Sequence, residues 1–189
     1  MAALEIDYAA KPAVEPASPV AAPLIAISRR TRPSPLHERV LAAGAKAFTV
    51  YNHMLLPTVF NDLESDYWHL REFVQIWDVF AERQVSLRGP DALALAQVMT
   101  PRNLSKLEIG RCVYAPITNP AGGMINDPII IRRSDDEVWL SIADSDVRLW
   151  AEGLATNGNY NVVVSEPDIG PIAIQGPQSD ALMERLFGN

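Results

Sequence analysis

The chain has one cysteine, Cys112, in 189 residues. A single thiol excludes an internal disulfide and fits a reducing compartment such as the cytoplasm. Histidine is also scarce: His37, His53 and His69 are the whole set, and none has ligand spacing with Cys112. No metal is assigned. Basic charge is short, with 16 Lys and Arg against 23 Asp and Glu, a net charge of −7 and a pI near 4.9. A field of that sign repels phosphate backbones, which argues against nucleic acid as a partner. Pro and charged residues cut every apolar run well short of the ~20 residues a membrane span needs. A Gly-rich phosphate loop, a nucleophile elbow and a Cys/His pair near a base are all missing. Composition sets no oligomeric state.

What is present suffices for a core, since 48% of the residues are apolar. Residues 1–35 are rich in Ala and Pro, and Glu5, Asp7 and Glu15 stand where a targeting peptide avoids acids. This segment reads as a disordered leader, with the ordered part starting near Leu36. Leu70, Phe73, Val74 and Trp77 fall at i, i+3, i+4 and i+7, which predicts a helix over 66–77. Gln84 to Arg88 alternates as a half-buried strand and stops at Gly89-Pro90. Asp91 then caps a helix that runs to Met99 and ends at Thr100-Pro101, because the residue before Pro is pushed out of the helical region. Cys112 to Ile117, a turn over 119–123 and Pro128 to Ile131 read as a hairpin. A strand over 138–142, a helical stripe at Val147, Trp150, Ala151 and Leu154, strands over 160–164 and 172–174, and a helix over 178–187 complete the pass. The expected class is α+β, with mixed and antiparallel sheets covered by helices. Leu87-Arg88-Gly89-Pro90 is echoed by Ile174-Gln175-Gly176-Pro177, either as a duplicated half-domain or as a common strand–turn–helix junction.

Tyr114 and Asp127 stand on the two arms of the expected hairpin, thirteen residues apart. A hairpin puts such residues on neighbouring strands, where a phenol and a carboxylate can face one cleft. Two plainer readings stay open: Asn126-Asp127-Pro128 as a turn that starts a strand, and Tyr114 as a packed strand aromatic. His53 and Trp77 read as packing residues, and Glu82-Arg83 as a strand ion pair.

The stretch Gly110-Arg111-Cys112-Val113-Tyr114 through Gly122-Gly123-Met124-Ile125-Asn126-Asp127 resembles the glycine-cleavage T-protein family. Ile76-Trp77-Asp78-Val79, Gly89-Pro90-Asp91-Ala92, Leu104-Ser105-Lys106 and Ile174-Gln175-Gly176-Pro177-Gln178-Ser179 add to it, in order, over about residues 36–189. Where T proteins usually have Asp-Val-Ser-His-Met-Gly, this chain has Asp78-Val79-Phe80-Ala81-Glu82-Arg83, and their Asp-Asp pair is here Asn126-Asp127. Those departures resemble the dimethylsulfoniopropionate demethylase branch, as do the run from Ala47 to Pro57, Asn126-Asp127-Pro128 and Ala143-Asp144-Ser145-Asp146. The resemblance implies a partial folate-binding domain over 36–189, with tetrahydrofolate as cofactor and a small-molecule methyl donor as partner. It implies methyl transfer from a sulfonium to tetrahydrofolate, with aminomethyl transfer or a non-enzymatic folate-binding iron–sulfur assembly factor as alternatives. Asp127 would be the catalytic residue, and Tyr114, Asp127 and Ser145 would contact the folate. Family members carry about as much chain again, so a fragment with an uncovered apolar face at Leu182, Leu186 and Phe187 is expected.

Overall fold

The structure, a computed structural model, describes Ser28 and residues 30–188. The expected leader therefore lies mostly outside the described residues. Of its last residues, Arg32 bridges to Met54, and the buried Ser34 donates its hydroxyl proton to the buried Asp78.

A short helix α1 (His37–Ala42) leads into a hairpin, β1 (Ala47–Tyr51) and β2 (Met54–Val59). Its two turn residues, Asn52 and His53, both have positive φ, at 48° and 61°. Two such residues match the right-handed twist of the flanking strands, which is why Asn is favoured there. His53 is exposed at this turn, so it is not a packing residue. Helix α2 (Leu63–Glu72) is capped by Asp62, whose carboxylate accepts from the Ser65 amide at 2.9 Å.

The helix expected over 66–77 is corrected here: it stops at Glu72, and Gln75–Asp78 forms strand β3. Phe73 is partly exposed and Trp77 pairs with Ala173, so the apparent helical stripe is split between two elements. Ile76-Trp77 is a β-branched and aromatic pair, and its strand preference prevailed over an i, i+3, i+4 coincidence.

Strand β4 (Gln84–Arg88) and helix α3 (Ala92–Met99) stand where the pattern placed them. Ala92, Leu95, Ala96 and Met99 form the buried stripe of α3, at i, i+3, i+4 and i+7. Asp91 does not cap this helix with its side chain; its carboxylate instead accepts from the Asn161 amide at 2.8 Å. The expected hairpin is present in two steps. β5 (Cys112–Tyr114) pairs with β8 (Ile129–Arg132), and β6 (Ile117–Thr118) pairs with β7 (Met124–Asn126). β9 (Glu137–Ser141), α4 (Val147–Asn157), β10 (Val163–Ser165), β11 (Ile172–Gln175) and α5 (Ser179–Phe187) follow.

The main sheet has the order β10-β4-β9-β8-β5, with every neighbouring pair antiparallel. Val85, Leu87, Val138 and Leu140 face α3 and α4 and are fully buried with Leu95, Leu104 and Val147. Each such side chain contributes on the order of 1.5–3 kcal/mol of burial. The opposite face carries Ser86, Arg88, Glu137 and Trp139. Among the described residues no helix is long and apolar enough to cross a membrane.

Candidate functional site

Tyr114 ends β5 and Asp127 follows β7, so the hairpin returns one beside the other. The Tyr114 hydroxyl donates to Asp127 Oδ2 at 2.9 Å. That bond holds the Tyr114 phenol above its ordinary range, with partial burial and the Asp127 charge acting in the same direction. The proton therefore stays on Tyr114 near neutrality. Tyr114 is 52% exposed, so its ring offers a face to solvent instead of packing inward. Asp127 Oδ1 has no hydrogen-bond partner among the described residues.

Ser145 joins the same neighbourhood through Asn126. Asn126 Nδ2 donates to Ser145 Oγ at 2.8 Å, and Ser145 Oγ donates to the Ile125 carbonyl at 3.1 Å. The Ser145 proton is thus committed within the fold, which leaves its oxygen only a lone pair to offer.

Sequence reasoning passed over Tyr51, Asn52 and Asn126. Tyr51 closes β1, and its phenol is pushed up by burial, pulled down by the Asp144 backbone amide that donates to it, and pushed up by the charges of Glu82, Asp144 and Asp127. All three carboxylates act on this phenol through their charge. Asn52 was legible as the first residue of a two-residue turn between β-rich runs.

Glu82 and Arg83 form no ion pair with one another, which corrects the sequence expectation. They precede β4 rather than lying in it, and Arg83 turns toward Glu166 at 3.5 Å and Asp146 at 3.8 Å. Desolvation by neighbouring protein raises the Glu82 carboxyl above its ordinary value. Two open clefts lie elsewhere. One of about 760 Å³ is lined by Arg32, Met54, Phe80, Arg83 and Glu166, another of about 600 Å³ by Val40, Phe60, His69 and Trp77. Neither includes Tyr114, Asp127 or Ser145. Among the described residues no group of three or more His, Cys, Asp or Glu could hold a metal ion.

The pattern of residues 36–189 matches the GCVT N-terminal domain. The chain belongs to that family. It is 48% identical over 161 residues to the dimethylsulfoniopropionate demethylase DmdA of Ruegeria pomeroyi, covering 85% of this chain and 44% of that protein. An aminomethyltransferase of Desulforamulus reducens is 27% identical over 157 residues, or 81% of this chain and 42% of the relative. Among solved structures, the glycine cleavage system aminomethyltransferase T of Bartonella henselae superposes with a TM-score of 0.73 at 23% identity, covering 81% of this chain and 43% of that one. That likeness establishes the α+β fold of the family. The chain spans less than half the length of the curated relatives it matches.

Proposed function

We propose that this chain serves a tetrahydrofolate-dependent methyltransferase that moves a methyl group from dimethylsulfoniopropionate, or a similar sulfonium compound, to tetrahydrofolate. The observation that carries this reading is the 48% identity to a demethylase of that substrate, against 27% to an aminomethyltransferase. In this reading residues 36–189 form the folate-binding part, with Tyr114, Asp127 and Ser145 against the cofactor and Asp127 in the catalytic role.

The residues fit such a group. An exposed phenol ring gives a pterin a face to stack on, and a carboxylate oxygen without a partner among the described residues accepts from a ring N–H. When bound, tetrahydrofolate supplies N5, whose lone pair takes the methyl carbon while the C–S electron pair stays on the departing thioether. Because that leaving group is neutral, no strong acid is needed, and alignment carries most of the rate. Tyr114 holds the Asp127 carboxylate through Oδ2, so Asp127 would offer a folate its Oδ1 as a negative charge and a proton acceptor. Glu82 and Asp144 add negative charge near Tyr51, which suits a cationic methyl donor.

The test is a mass spectrum of the folate product formed by the complete protein. Offered dimethylsulfoniopropionate, it should release 5-methyltetrahydrofolate. Methylenetetrahydrofolate from an aminomethyl-lipoyl carrier would identify an aminomethyltransferase instead. Folate binding without any product would leave the assembly-factor reading, and turnover of glycine betaine alone would overturn the sulfonium assignment.

A further inference from the structure

Two asparagines grip one residue of the loop between β9 and α4. Asn126 Oδ1 accepts from the Ala143 amide at 3.0 Å, while its Nδ2 holds Ser145 Oγ. From the hairpin turn, Asn52 Nδ2 donates to the Ala143 carbonyl at 3.0 Å and to the Ala81 carbonyl at 2.9 Å. The Asn52 backbone N–H donates to Asp144 Oδ1 at 2.8 Å. Both asparagines are 4% exposed. Ala143 thus has its N–H held from one side and its C=O from the other, by side chains rather than by a strand partner. The C=O also takes the Ser145 amide at 3.0 Å, which tightens the same turn.

We infer that Asn126 and Asn52 are positioning residues for the site, a two-amide clasp on Ala143 that fixes where the Asp127 carboxylate stands. The inference rests on the catalytic reading of Asp127. Asn126 is covalently next to Asp127, so whatever anchors its side chain anchors the carboxylate that follows. An amide suits both positions because it carries a donor and an acceptor on one planar group. A carboxylate at 126 would have no proton for Ser145, and a hydrocarbon would satisfy neither neighbour. The clasp also ties the β1–β2 hairpin, and with it Tyr51, to β7, which ends at Asn126 just before Asp127. Displacements of about 1 Å in such a support cost on the order of 10²-fold in rate.

The test uses Asn126→Ala, Asn52→Ala and the double variant in the complete protein. Each single change should lower kcat on the order of 10-fold while folate affinity changes little, because the exposed Tyr114 ring is untouched. The double variant should fall no more than about 3-fold below the worse single one, since both act through Ala143. Multiplying effects, or unchanged kcat in the singles, would overturn the inference. Two readouts stand apart from turnover, so a failed demethylase assay would not decide this question. Amide exchange at Ala143 should accelerate in both singles, and the Tyr114 phenol in Asn126→Ala should titrate closer to its ordinary value of 10.0 as Asp127 drifts from it. Wild-type exchange and titration would reject the clasp. If Asn126→Ala does not fold, Asn126→Asp keeps the acceptor for Ala143, loses the donor to Ser145, and should shift the same readouts in the same direction by less.

Discussion

The main sheet and the small β11-β3 pair are built with the same junction and differ in what covers them. In each, a strand runs through Gly-Pro into a helix. Gly89 has φ +146°, and a Cβ there would stand 2.1 Å from the Asn161 carbonyl oxygen; Gly176 has φ +125°, and a Cβ would stand 2.2 Å from that of Phe73. Each carbonyl lies just ahead of the neighbouring antiparallel strand, β10 in one case and β3 in the other. The residue after Pro ties down the same segment, through Asp91 to the Asn161 amide and through the Gln178 amide to the Phe73 carbonyl at 3.2 Å. Yet the whole buried core cluster lies between Val85 and Ala155. Helices α2 and α5 bury no residue, and Ile76, Trp77, Ile172, Leu186 and Phe187 are exposed. The turn is a local device that a short motif specifies, whereas burial needs a second layer, and among the described residues only the main sheet has one.

The sharpest way to break this comparison is Gly89→Ala set against Gly176→Ala. Both place a methyl group against a backbone carbonyl at a φ that L-residues rarely adopt. In the main sheet the strain has nowhere to go, and unfolding free energy should fall by about 3 kcal/mol or more. In the β11-β3 unit few contacts resist local opening, so Gly176→Ala should chiefly speed amide exchange in β3 and β11 and shift the global denaturation midpoint much less. Equal losses in urea titrations of the two variants would mean that both units unfold as one.

Asp127→Asn tests whether the site draws on the rigid side of the molecule without contributing to its stability. If Asn performs the same turn chemistry, melting should move by well under ~1 kcal/mol. The loss of charge at Oδ1 should lower kcat of the complete protein on the order of 10²-fold. Tyr114→Phe keeps the ring and frees the Asp127 carboxylate, so it should be milder, lowering kcat with folate affinity little changed. Equal kcat for wild type and Asp127→Asn at saturating folate would remove the catalytic assignment.

Much of the packed region was legible in the sequence because its periodicities were clean. Val85 and Leu87 alternate over a bounded run, and Ala92 to Met99 repeats at helical spacing up to Thr100-Pro101. The loose region misled for a physical reason: Leu70, Phe73, Val74 and Trp77 fit a helical stripe by spacing, but no layer selects that stripe, and strand preference took Trp77. In the site, Tyr114 and Asp127 could be placed opposite one another from the turn between them, and the 2.9 Å bond agrees. The asparagine clasp could not be foreseen, because Asn52, Asn126 and Ala143 are brought together only by tertiary packing. Asp91 fitted a helix cap by position, yet its carboxylate was claimed by the Asn161 amide, seventy residues away and just ahead of β10.

On the outer face of the main sheet, Glu137 offers a pH test of the same rigidity. Burial alone would raise its carboxyl, but hydrogen bonds from Trp139, Arg88 and Ser86 outweigh it and hold the value below the ordinary 4.5. A depressed folded value means that the stabilisation is complete above the unfolded value and is lost as pH falls through the folded one. As pH falls below the ordinary carboxylate range, wild type should therefore lose stability that Glu137→Gln does not lose, measured by urea midpoints along the pH range. A parallel decline in both proteins would show that other carboxylates govern the acid limb.

The smallest expected effect belongs to α5, and it tests the other side of the comparison. Leu186 is 54% exposed, whereas Leu95 on α3 is 0% exposed. Replacing a buried leucine by alanine costs about 2–5 kcal/mol through lost burial and the cavity left behind. Leu186→Ser removes little burial, and its main cost is the weaker helix preference of Ser, roughly 0.5 kcal/mol. The urea midpoint of the 189-residue chain should barely move. A loss above about 2 kcal/mol would mean that the apolar face of α5 is covered in solution. Repeating the titration over a hundredfold range of protein concentration would then identify the cover: a midpoint that rises with concentration points to a second copy, and a constant one to another part of the same chain.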